Sequence, residues 1–112
     1  LVLENIAFDG GAYPAVQVGA ISTRIINCTF TENDTALQAI SSQLEVEDCR
    51  FYGNALACQL DTSSSEFTRC RFEDNSGPYP SDIAYYNGET LLVDTVIITN
   101  GERIGVGDSI AA

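Results

Sequence analysis

The sequence contains no His, Lys, Met or Trp. The missing histidine removes the commonest general base and the commonest transition-metal ligand together. Five arginines stand against sixteen acidic residues, for a net charge of −11. A phosphate backbone requires a basic face, so nucleic-acid binding is excluded. No apolar run approaches the roughly 20 residues needed to span a bilayer, which points to a soluble or lumenal chain without a membrane-spanning segment. The sequence begins at Leu1 without an initiator Met, a charged n-region or a cleavage-type signal, and we expect a processed chain or a piece of a longer one. The acidic surplus reads as a solvated, self-repelling surface, with Ca²⁺ capture or a basic partner as the sharper alternative.

What is present is a repeat. Asn27-Cys28-Thr29-Phe30-Thr31-Glu32-Asn33 returns as Asp48-Cys49-Arg50-Phe51-Tyr52-Gly53-Asn54 and again, at the same interval and without a gap, as Arg69-Cys70-Arg71-Phe72-Glu73-Asp74-Asn75. A weaker copy, Asp94 to Asn100, follows after a slightly longer interval, and a worn one, Asn5 to Gly11, precedes the first. A fixed period of this length is the signature of a solenoid in which each repeat forms one coil. The whole chain, 1–112, then reads as a single all-β domain of about five coils, each of about 21–25 residues.

Each copy gives a first strand, a turn and a second strand. Ile25, Cys28 and Phe30 form the first strand of the second copy, Asn33-Asp34 the turn, and Ala36 to Ala39 the second strand. Stacking the copies turns the period into inward columns. These are Ile6, Cys28, Cys49, Cys70, Thr95; then Phe8, Phe30, Phe51, Phe72, Ile97; and, on the second strand, Val16, Leu37, Cys58, Ile83, Ile104 and Val18, Ala39, Leu60, Tyr85, Val106. Parallel strands about 4.8 Å apart place like residues on like residues. At the turn this gives a column of Asn33, Asn54, Asn75 and Asn100, with Gly11 in the same place in the first copy. Asn tolerates the left-handed conformation a sharp corner requires, and its amide can bond to the coils above and below. The segment Gly77-Pro78-Tyr79-Pro80-Ser81 is loop-forming and delays the second strand of the fourth coil by four residues.

The motif F-x-x-N, at Phe30 to Asn33, Phe51 to Asn54 and Phe72 to Asn75, together with Gly10-Gly11-Ala12, resembles the parallel β-helix repeats of the pectin-lyase-like superfamily. It is most similar to the F-x-x-N and G-G-A repeats of polymorphic outer-membrane autotransporter proteins, and Cys-x-Phe-x-x-Asn repeats also occur in predicted β-helix proteins of algae and protists. The resemblance covers the whole chain and implies a right-handed, single-stranded parallel β-helix. It implies no activity, because the same coils serve lyases, hydrolases, epimerases, adhesins and inert scaffolds.

Four cysteines offer the first candidate chemistry. Cys28, Cys49, Cys58 and Cys70 stand too far apart along the chain to match the close C-x₂-C pairs of zinc sites. Stacked Cβ vectors about 4.8 Å apart exceed the ~3.8 Å usual for a disulfide, so the reading is free, buried thiols behaving as small hydrophobes, with one bridge as the alternative. Asn5, Asn27, Asp48, Arg69 and Asp94 form an outward column. Asp48, Arg69 and Asp94 are the one cluster that resembles lyase chemistry, a carboxylate-bound cation beside an Arg base; ordinary cross-coil ion pairing is the competing account. Of two glycosylation sequons, Asn27-Cys28-Thr29 presents an outward Asn, whereas Asn33-Asp34-Thr35 is committed to the corner. Tyr79 and Tyr86, with Pro78 and Pro80, lie in or beside the inserted loop and are contact candidates; Tyr85 belongs to the inward column.

The expectation is a non-enzymatic structural or interaction module without a cofactor. It would serve as a surface or secreted scaffold or as an accessory subunit of a larger assembly, in an extracellular or lumenal setting. Its partners would be other subunits or flanking coils at the open solenoid ends, with carbohydrate as a further ligand class. A polysaccharide lyase, hydrolase or epimerase and an acidic calcium-stabilised module are the alternatives.

Overall fold

Three short strands and three corners make each coil of the computed structural model, which describes residues 1–12, 14–75, 82–98 and 109–111. The first sheet holds Val2–Glu4, Ser22–Ile26, Gln43–Glu47, Ser64–Thr68, Glu89–Val93 and Ser109–Ala111. The second holds Ala7–Asp9, Thr29–Thr31, Arg50–Tyr52, Arg71–Glu73 and Val96–Ile98; the third holds Val16–Gly19, Thr35–Ile40, Leu56–Asp61 and Ile83–Tyr86. Every pairing is parallel and joins one coil to the next, giving a solenoid of four complete turns with a fifth begun by Glu89–Val93.

The expected columns are the observed register. Phe8, Phe30, Phe51, Phe72 and Ile97 pair in succession, as do Val16, Leu37, Cys58 and Ile83. Because the strands step by one coil, the phenyl rings stack with centroids 4.9, 4.7 and 4.6 Å apart. Phe67, from the first sheet, meets Phe51 and Phe72 edge-on at 6.4 and 5.6 Å. Aromatic contacts of both kinds add to the burial of the ring area itself. Ile6 departs from expectation: it is 37% exposed, and Leu3 and Phe8 are only half-buried, since among the described residues no coil covers the first one. Asn100, Ile104 and Val106, placed by the repeat in these columns, lie outside the described residues.

The single first strand expected from the sequence is two strands. A left-handed residue breaks it in every coil, at Asn5 (φ 59°), Asn27 (52°), Asp48 (54°), Arg69 (52°) and Asp94 (47°). Ile25 and Phe30 therefore sit on different sheets. The turn after the Phe is also corrected by one position. Its left-handed residue is Gly10, Glu32, Gly53 or Asp74, the residue before the Asn, so the Asn column is not there for its tolerance of positive φ. A third corner turns at Ala20, Ser41, Thr62 and Asn87.

In the central coils all three corners share one construction: a left-handed residue followed by an inward side chain that bonds along the stack. At a corner the backbone N–H leaves the ladder and needs a new acceptor. The N–H of Gly11 donates to Asn33 Oδ1 (3.0 Å), that of Asn33 to Asn54 Oδ1 (2.9 Å), and that of Asn54 to Asn75 Oδ1 (2.9 Å). The Asn33, Asn54 and Asn75 side-chain amides donate in turn to the carbonyls of Phe8, Phe30 and Phe51. Asn75 also donates to Asp82 Oδ1 at 3.0 Å, a buried carboxylate directly after the inserted loop. The third corner repeats the scheme with Ser42 N–H donating to Ser63 Oγ (3.1 Å).

Candidate functional site

The thiol column is the same device at the remaining corner. Cys28 N–H donates to Cys49 Sγ at 3.4 Å, and Cys70 N–H donates to Thr95 Oγ1 at 3.3 Å. The Cys28, Cys49 and Cys70 thiols each donate to backbone carbonyls, among them Ile26, Glu47 and Thr68. All four cysteines are free and buried. Cys28, Cys49 and Cys70 act as weak hydrogen-bonding groups, and not only as small hydrophobes, which explains why Thr95 substitutes in their column. Burial pushes the Cys28 and Cys58 thiols above the ordinary range. A hydrogen bond with Cys70, followed by burial, raises Cys49. Those three thiols, held protonated, are poor nucleophiles and poor metal ligands, whereas the hydrogen bond with Cys49 lowers Cys70.

The sequence cluster Asp48, Arg69 and Asp94 does occupy one exposed corner column, because the left-handed residue of each coil projects outward there. Two of its members are joined: Arg69 Nε and Nη2 donate to the two carboxylate oxygens of Asp48 at 2.8 and 3.2 Å. Asp94 stands one coil further and forms no ion pair with a described residue. The guanidinium lowers the Asp48 pKa, and the carboxylate raises that of Arg69. Above Asp48 in the same column, Asn27 Nδ2 donates to Asn5 Oδ1 at 2.6 Å. Asn27 is exposed and Asn33 buried, as the two sequons suggest. Tyr86 is 42% exposed and Tyr85 is buried, while Tyr79, Pro78 and Pro80 fall outside the described residues.

A further feature was not read from the sequence. The outer face of the first sheet carries a groove of about 720 Å³ running across five successive strands of that sheet. Ser64, Gln43 and Glu89 edge one side, and Arg24, Glu45 and Glu66 the other. Arg24 bridges to Glu45 at 3.2 Å and to Glu47 at 3.7 Å. The signal lay in Ser22-Thr23, Gln43-Leu44, Ser64-Ser65 and Glu89-Thr90, which recur at the coil period but alternate weakly in hydropathy. Among the described residues, no three His, Cys, Asp or Glu side chains converge to hold a metal ion.

With a parallel stack, three corner ladders and an outer groove in place, the family can be settled. A family model described as a right-handed β-helix region matches residues 2–110. The chain belongs to the right-handed β-helix family. Neither curated proteins nor solved structures gave a match. Family membership accounts for the hand of the β-helix and is consistent with the pectin-lyase-like resemblance of its F-x-x-N motifs. The groove and the Asp48–Arg69 pair belong to the outside of the β-helix, on faces whose side chains the fold leaves free to vary.

Proposed function

We propose that this β-helix is a non-enzymatic structural or interaction module, a short solenoid that presents outward columns to a partner. Its settings would be a surface or secreted scaffold, or an accessory subunit of a larger assembly. The observation that carries the reading is the bidentate pair between Arg69 and Asp48. A general base must be able to take up a proton near the working pH, and this pairing moves both groups away from that range: Asp48 is held ionised and weakly basic, and Arg69 is held protonated.

The competing reading is a polysaccharide lyase, hydrolase or epimerase, favoured by the open groove and its polar edges. Uronate polymers separate the two. The module reading expects no release of reducing ends or unsaturated uronates above the blank. Turnover that disappears in Asp48→Ala, Arg69→Ala or Asp94→Ala would establish the enzyme instead.

A further inference from the structure

Three of the five arginines, Arg50, Arg69 and Arg71, lie together on a chain with sixteen acidic residues. Arg50 and Arg71 are direct partners in the parallel register of the second sheet, and both are exposed. Like charges placed opposite each other on one sheet face are destabilising. Arg71 has a compensating carboxylate, Glu73 Oε2 at 2.9 Å, and Arg69 has Asp48. Arg50 forms no ion pair with any described residue, although acidic residues outnumber basic ones threefold.

Arg50 is flanked by hydroxyl donors, and the nearby Glu73 carboxylate, the register partner of Tyr52, is held on Arg71. Thr29 precedes it in the same outward column, and Tyr52, 41% exposed, stands two residues along on the same face. Two guanidinium groups with flanking hydroxyls supply more hydrogen-bond donors than a planar carboxylate can accept, and they suit the several oxygens of a tetrahedral ion. The net charge of −11 opposes an anion only weakly at this point, because distant charges are screened beyond about 8 Å at physiological ionic strength.

We propose that Arg50 and Arg71, with Thr29 and Tyr52, form a binding site for a phosphate or sulfate group. The site is independent of the scaffold reading: it holds equally on an enzyme, so its failure would not touch the turnover result.

Amide chemical-shift titrations with sodium phosphate, sodium sulfate and sodium acetate, at matched ionic strength in chloride, test the site. Phosphate and sulfate should shift Thr29, Arg50, Tyr52 and Arg71 saturably, with acetate weaker. Arg50→Gln should weaken binding by about tenfold or more, the worth of one lost charge-assisted bond. In chloride buffer free of phosphate and sulfate the same variant should melt higher than the wild type, because the opposed charges are gone; this reading also shows that it folds. O-phosphoserine and phenyl sulfate distinguish the sources: binding at least as tight as the inorganic ions assigns the group to a modified partner, and weaker binding assigns it to a free ion. Shifts scattered over the surface, a failure to saturate, or an unchanged affinity in Arg50→Gln would overturn the site.

Discussion

Asn54 shows how much one residue does in this fold. Its side chain accepts from the Asn33 N–H and donates to the Phe30 carbonyl, both inside the stack, while its own N–H is served by Asn75. Asn54→Ala withdraws partners from two buried backbone groups. At roughly 1–3 kcal/mol for each, the expected loss is about 2 to 6 kcal/mol, read from urea unfolding; a loss below about 1 kcal/mol would contradict the ladder. The buried thiols make a pH prediction. The folded-state pKa values of Cys28 and Cys58 are raised above the ordinary 9.0, so the folded chain holds protons that the unfolded chain releases. The stability this confers is complete below pH about 9 and declines as pH rises above it. The drop in unfolding midpoint between about pH 7 and about pH 10 should be smaller in Cys58→Ala than in the wild type. For Asp48 the sign is reversed: its lowered pKa favours folding above the ordinary 3.8, and that contribution disappears as the solution is made more acid.

Strands and corners were unequally legible. The inward columns were readable because the even period superimposes Phe on Phe and Cys on Cys, and chemistry repeated that closely leaves little choice of register. The first sheet was not, because Thr23, Leu44, Ser65 and Thr90 share a buried column but mix polar with apolar. Corner positions were hidden for a related reason: left-handed φ falls on Asn, Asp, Arg, Glu, Ala, Ser and Thr, and so has no single sequence mark. Arg69 and Thr62 hold that conformation because the strands on either side fix it. The third corner carries one close approach, where Gly88 follows Ser42 and Ser63 in the stack. A Cβ added there would run into the Ser63 carbonyl. Gly88→Ala must displace backbone and should cost about 3 kcal/mol or more, whereas Gly10→Ala meets no atom and carries only the strain of its positive φ. Equilibrium unfolding of the pair separates steric from conformational cost. In the Phe stack, Phe51→Ala should cost about 3–5 kcal/mol and Phe51→Leu clearly less, since Phe51 contacts rings on both sides.

At the scale of the whole molecule, the solenoid lets each coil contact only its neighbours, so stability accumulates along the stack. The groove and the arginine pair are exterior features, and exterior residues are where the sequence period fades: Arg50 and Arg71 repeat, but Thr29 and Val96 in the same column do not. That is why the candidate sites were less readable than the core, where packing forces like onto like. The acidic calcium-stabilised alternative is decided by melting with and without Ca²⁺, because a ligand of the native state must raise the midpoint; the module reading expects no rise. The corner ladders also give the molecule a direction. Every ladder N–H points from one coil toward an acceptor on the next, at Gly11, Asn33, Asn54, Ser42, Cys28 and Cys70 alike. The two ends of such a stack are unlike, as the two poles of a magnet are. A neighbour that continues the ladders can join only head to tail, and a contact of that kind repeats in one direction instead of closing as a symmetric pair.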